Sequence, residues 1–219
     1  MSEKFVKGWK VNPSKLQRLV GSKEETSKVL ASTKKQTLSE VEDAVGGSKG
    51  KIVTFEALND ILKGTLDEKK YSKYVRMTEL CLNHCGSELD GEIFLVATNY
   101  LPNPDLEWNP VLRYLELSKL SELWNRANLS FPWKDKPNKK SEWPVRTIIS
   151  SADLPAVSSE LESLTEDKVR SIPKEMLLEN PDHDLNASYD ELWDGLKCLK
   201  TWVKASLGAS LVLIVDGDQ

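Results

Sequence analysis

The sequence predicts an α+β fold, a small mixed sheet covered by several packed helices. Three observations lead there. Helix-capping signals and apolar stripes at steps of three and four recur along the chain. Short apolar runs of strand length stand between them. Strands and helices do not alternate as regular βα units, and no repeat of 20–50 residues is visible. With 219 residues, the chain is long enough for one compact domain that buries roughly 70% of its unfolded surface. Any subdivision falls near residues 86–91, where a helical N-terminal half gives way to a mixed C-terminal half.

Phe5–Val11 alternates as a first strand. Asn12-Pro13 then starts a helix, Asn as cap and Pro at the first helical position, and Gly21 stops it. Ser22-Lys23-Glu24-Glu25 and Thr37-Leu38-Ser39-Glu40 read as capping boxes. Gly46–Lys51 reads as a flexible loop, followed by a helix capped by Thr54 and ended by Gly64. Asp67 opens a longer helix with Tyr71, Tyr74, Val75, Thr78, Cys81, Leu82 and Cys85 on one stripe, and Gly86 is expected to close it. Glu92–Val96 reads as a buried strand, and Val111–Leu115 as a strand or turn among Pro102, Pro104 and Pro110. Ser118 caps a helix through Ala127, and Val145–Ile149 is a strand. Three short helices follow over 155–164, 166–171 and 174–179. Ser188-Tyr189-Asp190-Glu191 then opens a helix burying Tyr189, Leu192, Trp193, Leu196, Leu199 and Val203. Gly208 closes it, and Leu211–Val215 makes a central strand.

Composition narrows the class. Apolar residues are 39% and charged residues 29%, a globular mix rather than a disordered one. Cys81, Cys85 and Cys198 are the only cysteines, too few and odd in number for a disulfide framework. The N-terminus lacks an apolar signal segment, and the longest apolar run, Leu211–Val215, is far short of a membrane span. A cytoplasmic location is therefore expected, with the sequons at Asn128 and Asn186 incidental. Charge is uneven: Lys/Arg against Asp/Glu is 16 to 11 over residues 1–80, 8 to 9 over 81–150, and 6 to 14 over 151–219. Such asymmetry suits steering of a charged partner, or simply solvated helix faces.

Four places hold residues suited to chemistry. Gly46–Lys51 ends in Gly-Lys like a phosphate loop, but Val45 and Ile52 stand where Gly and Ser/Thr are required. Cys81, His84 and Cys85 share a helix face, and with His183 they would compose a Cys2His2 metal set; the alternative is two core thiols and a His suited to a helix C-terminus. Asp182 and Asp184 flank His183 and could orient it as a base, although a polar loop has the same composition. In the fourth, Trp133 and Trp143 bracket Lys134, Lys136, Lys139 and Lys140 in a Pro-rich segment over 131–144. That is a long connection of the kind that binds partners, or single strands through stacking and phosphate contact. No nucleophile elbow, zinc-protease helix or dinucleotide fingerprint occurs.

The opening Trp9-Lys10-Val11 to Leu19-Val20-Gly21-Ser22 resembles uncharacterised bacterial proteins around the YfbM-like domain of unknown function. The ending, with Tyr189, Leu192, Trp193, Trp202, Ala205 and the strand Leu211–Val215, is similar too. The resemblance implies an α+β fold and a bacterial source and carries over no catalytic residue. The expectation is a non-enzymatic protein-interaction module, immunity-like or regulatory. It needs no cofactor, and its partner is another protein rather than nucleic acid or membrane. The alternatives are an enzyme with a carboxylate or Cys/His metal site, and a weak single-stranded nucleic-acid binder.

Overall fold

The computed structural model describes residues 4–19, 25–65, 77–94, 108–124, 146–177 and 184–217. Expectations for Gly21, the Ser22–Glu24 part of the first box, Asp67–Val75, Leu95–Val96, Pro102 and Pro104, residues 125–127, the 131–144 segment, Val145, residues 178–179 and Asp182–His183 lie outside these residues. The α+β class holds. The sheet has five strands: β1 (Lys4–Val11), β2 (Gly86–Glu88), β3 (Ile93–Phe94), β4 (Arg146–Ile149) and β5 (Ser210–Gly217). Their order is β2-β1-β5-β4, with β3 also paired to β1. The β1–β3 and β4–β5 pairs are antiparallel, with Val6 opposite Ile93 and Ile148 opposite Val212. β5 is central, as its unbroken apolar run requires.

The chain divides into two compact units, and among the described residues it crosses between them at Lys10/Val11 and Glu88/Leu89. In the unit over Val11–Glu88, Asn12 accepts the Lys15 N–H at 3.0 Å and Pro13 begins α1 (Pro13–Leu19). There follow α2 (Thr26–Ala31), α3 (Lys35–Gly46), α4 (Gly50–Lys63) and α5 (Met77–Cys85). α5 touches the other four. It is buried almost all round, Glu79 and Asn83 included, so one apolar stripe understates it. Gly86 begins β2 instead of capping α5 in a left-handed conformation, and the Cys85 carbonyl accepts the Asn12 N–H at 3.0 Å.

Gly46–Lys51, expected to be a flexible loop, is the turn of a close helical hairpin. Gly47–Lys49 forms a 3-10 turn, and Gly47 has φ +50°. A Cβ on Gly50 would lie 2.1 Å from the Glu42 carbonyl oxygen. These glycines serve close approach and handedness, not mobility. Because α4 starts at Gly50, Thr54 sits inside it and is buried rather than capping it. Thr37 likewise lies inside α3. Gly64 ends α4 as expected, with φ 73° and ψ 22°. Thr65 N–H donates to Asp60 C=O at 2.8 Å and Gly64 N–H to Ile61 C=O at 2.9 Å, the paired bonds of a Schellman turn.

The other unit holds most of the sheet, with α6 (Trp108–Tyr114), α7 (Ser118–Trp124), α8 (Leu154–Glu162), α9 (Glu166–Arg170) and α10 (Leu185–Ala205). Val111–Tyr114 is helical rather than the expected strand or turn, with a turn only from Leu115, because Val111, Leu112 and Leu115 turn one face into the core. The third short helix expected after residue 174 is a 3-10 turn, Lys174–Met176. Asp184, not Ser188, caps α10, accepting the Asn186 and Ala187 N–H groups at 2.9 and 3.4 Å. The core contains Val6, Ile93, Leu192, Leu196, Leu199, Val203, Leu211 and Leu213, while Trp193 is only partly buried.

α10 is aligned on the sheet by small residues. A Cβ on Gly195 would approach Ile93 Cγ2 to 2.8 Å, and one on Gly8 would approach Trp202 Cε3 to 2.8 Å. Trp202 is 1% exposed, and its Nε1–H donates to the Asp90 carbonyl at 2.8 Å. Gly195, Cys198 and Trp202 fall on one helical face, spaced to lie over β3 and β1.

Candidate interaction surface

The residues expected to form a binding segment, Trp133, Lys134, Lys136, Lys139, Lys140 and Trp143, lie outside the described residues, as does His183. Three members of the expected metal set are placed. Cys81 and Cys85 are 0% and 2% exposed in the helical unit. His84 is half-buried and sets its Nδ1 3.1 Å from Ser32 Oγ, just past the end of α2. Among the described residues, no group of three or more His, Cys, Asp or Glu side chains is placed to hold a metal ion. Both thiols lie in the buried interior of α5, and the imidazole links α5 to the end of α2 through Ser32. On α10, burial pushes the Cys198 thiol pKa up, away from the thiolate that would make it a nucleophile.

What the structure adds is an apolar surface. Among the described residues, Ile52 at 63% and Phe55 at 48% are the most exposed pair of large hydrophobic side chains that are neighbours on one element. Leu207 at 48% stands in the turn after α10, and Tyr114 at 39% is tethered by its hydroxyl, which donates to the Ser171 carbonyl at 2.7 Å.

The local geometry explains the pair. Thr54, Ala57, Leu58, Ile61 and Leu62 form the buried face of α4. Ile52, Phe55, Glu56 and Lys63 lie off that face and are exposed. Lys49 and Lys51 are exposed at the same end of the helix, and neither makes an ion pair among the described residues. Lys51 precedes Phe55 by four residues, so the two are neighbours on the helix surface. From Gly46 to Phe55 the chain carries no carboxylate.

Sequence reasoning missed this surface because it began the helix at Thr54, which left Ile52 in a loop. With the helix started at Gly50, the same residues sort into an apolar buried stripe and a second, smaller apolar spot beside it. The signal was the excess: two large hydrophobics beyond what the core stripe requires. No family model, curated protein or solved structure matches this chain.

Proposed function

We propose that the protein is an interaction module, regulatory or immunity-like in kind, whose work is to bind another protein. The observation that carries this reading is the Ile52–Phe55 pair. Scattered exposed hydrophobics are ordinary on protein surfaces. These two differ in standing side by side on one helix, next to a turn locked by Gly47 and Gly50. Fully burying an apolar side chain of this size is worth about 1.5–3 kcal/mol. A rigid element loses little conformational entropy when it binds, so most of that gain is kept. The sequence supplies a second set of anchors in Trp133 and Trp143, the residue type most enriched among interface hot spots.

The test is affinity purification with the wild-type chain and with Ile52→Ser/Phe55→Ser as bait, after matching their thermal melts. The expected result is a protein partner held by the wild type and reduced about tenfold or more on the double variant. The same partner retained equally by both baits would remove the α4 surface from the reading. A Trp133→Ala/Trp143→Ala bait then decides whether the 131–144 segment carries it. A wild-type chain that holds no protein at all would overturn the function proposed.

A further inference from the structure

The surface around Ile52 and Phe55 has a chemical polarity that specifies its partner more closely. We infer that it receives an acidic segment bearing apolar anchors, the carboxylates of that segment meeting Lys49 and Lys51 while its hydrophobic side chains cover Ile52 and Phe55. This rests on the interaction reading above and adds the partner's chemistry to it.

Charge complementarity carries the argument. Lys49 and Lys51 flank the exposed apolar pair, and among the described residues no carboxylate engages either of them. The nearest acids along the hairpin are Glu42 and Asp43 at the end of α3 and Glu56 on α4. None of the three pairs with either lysine. A surface lysine held without a partner beside exposed apolar area steers an anionic group to that area. The acidic partner also gives the hairpin turn its use: Gly47 and Gly50 hold Lys49 and Lys51 next to the apolar pair on a fixed backbone.

An anionic membrane offers the same charge. It is disfavoured because Glu56 and Asp43 are exposed on the same hairpin and would be pressed against anionic headgroups. Two apolar side chains are also far fewer than the continuous apolar face of an interfacial helix. A peptide segment can place its carboxylates over the lysines and avoid the glutamate, which a uniform lipid surface cannot do.

The experiment is selection of a displayed library of random twelve-residue peptides against the full-length wild-type chain. Affinities of the enriched peptides are then measured by fluorescence anisotropy for the wild type, Lys49→Glu/Lys51→Glu and Ile52→Ser/Phe55→Ser. All three replaced pairs are exposed, and matched thermal melts confirm that each variant is folded. Enriched peptides are expected to carry net negative charge and at least two apolar residues. Each double variant should weaken them about tenfold or more, and the lysine-dependent part should decline as salt rises. Vesicles containing one-third phosphatidylserine are expected to leave the protein unbound in a flotation assay. Neutral or basic enriched peptides, lost on Ile52→Ser/Phe55→Ser but kept by Lys49→Glu/Lys51→Glu, would overturn the acidic-partner inference and leave the interaction reading standing. Peptides that bind all three chains equally, or none enriched, would overturn both for this surface. Vesicle binding abolished by either double variant would replace the peptide with a membrane.

Discussion

Gly8 and Trp202 show how single positions align the mixed unit. A methyl group on Gly8 would lie 2.8 Å from Cε3 and 2.9 Å from Cδ2 of the indole. Those ring atoms are fixed in place, since Trp202 is 1% exposed and tied by Nε1 to the Asp90 carbonyl. Overpacking of this kind costs about 1–3 kcal/mol, so Gly8→Ala should lower the unfolding free energy measured by urea denaturation by an amount within that range. In a Trp202→Phe background the smaller ring withdraws the clashing atoms, and the added cost of Gly8→Ala should fall below half. Equal cost in both backgrounds would show that the strain lies in the strand and not against the indole. Glu116 is a different case. It is the one non-glycine among the described residues with positive φ, at 62°. It occupies the left-handed position of a Schellman turn, where Leu117 N–H meets Leu112 C=O at 2.8 Å and Glu116 N–H meets Arg113 C=O at 3.0 Å. Its carboxylate accepts a hydrogen bond from the Lys168 ammonium, which lowers its pKa although the side chain is largely exposed. Glu116→Gly and Glu116→Ala both lose that pair, but only glycine relieves the backbone. The glycine variant should therefore be more stable than the alanine variant by about 1 kcal/mol in chemical denaturation.

At the scale of elements, the buried faces of long helices and the strands were legible in the sequence, and the helix starts often were not. β1, β4, β5, α8, the buried face of α10 and the Asn12-Pro13 entry to α1 stand where periodicity and local chemistry put them. Thr37 and Ser188 failed as caps because a Ser or Thr followed by an acid three residues later also fits the interior of a helix, and Thr54 failed because α4 already begins at Gly50. The true caps are sometimes not local at all. α7 illustrates this: its Lys119 and Leu120 N–H groups donate to the two carboxylate oxygens of Glu160 on α8, at 2.7 and 3.1 Å. The donors and the acceptor are some forty residues apart, so a local window cannot see the bond. The Ile52–Phe55 surface was hidden for the same reason, since a misplaced helix start moved Ile52 off its face. The Glu160 contact predicts that Glu160→Ala destabilises the mixed unit by about 1–2 kcal/mol. Glu160→Gln, which keeps one acceptor oxygen, should lose less. The check is urea denaturation followed by tryptophan fluorescence, and an alanine variant as stable as wild type would show that water replaces the carboxylate without loss.

The whole molecule is two units with separate cores. The contiguous cluster running from Val6 to Leu213 is drawn entirely from the unit that contains α6–α10. Val29, Val41, Val45, Leu58, Ile61, Leu62, Leu80, Cys81 and Leu82 are buried in the other. Units with separate cores are expected to open separately, and Gly50 offers a way to test it. A Cβ there would meet the Glu42 carbonyl oxygen at 2.1 Å and its carbon at 2.5 Å. These are backbone atoms that no rotamer change can move, so Gly50→Ala must part α3 from α4. Separation of the hairpin also withdraws cover from α5, which packs against both. Hydrogen exchange of Gly50→Ala should therefore show lost protection through α3, α4 and α5, by about a hundredfold or more for a local destabilisation of about 3 kcal/mol. Amides of α8, α10, β4 and β5 should exchange as in the wild type. A uniform loss across both sets would mean that the two cores open as one cooperative unit. Full protection throughout would mean that the hairpin shifts to admit the methyl group. The prediction also bears on function, because α4 carries Ile52 and Phe55. If the helical unit opens alone, Gly50→Ala should lose the partner while the α8–α10 region stays folded, which ties binding to that unit and to no other.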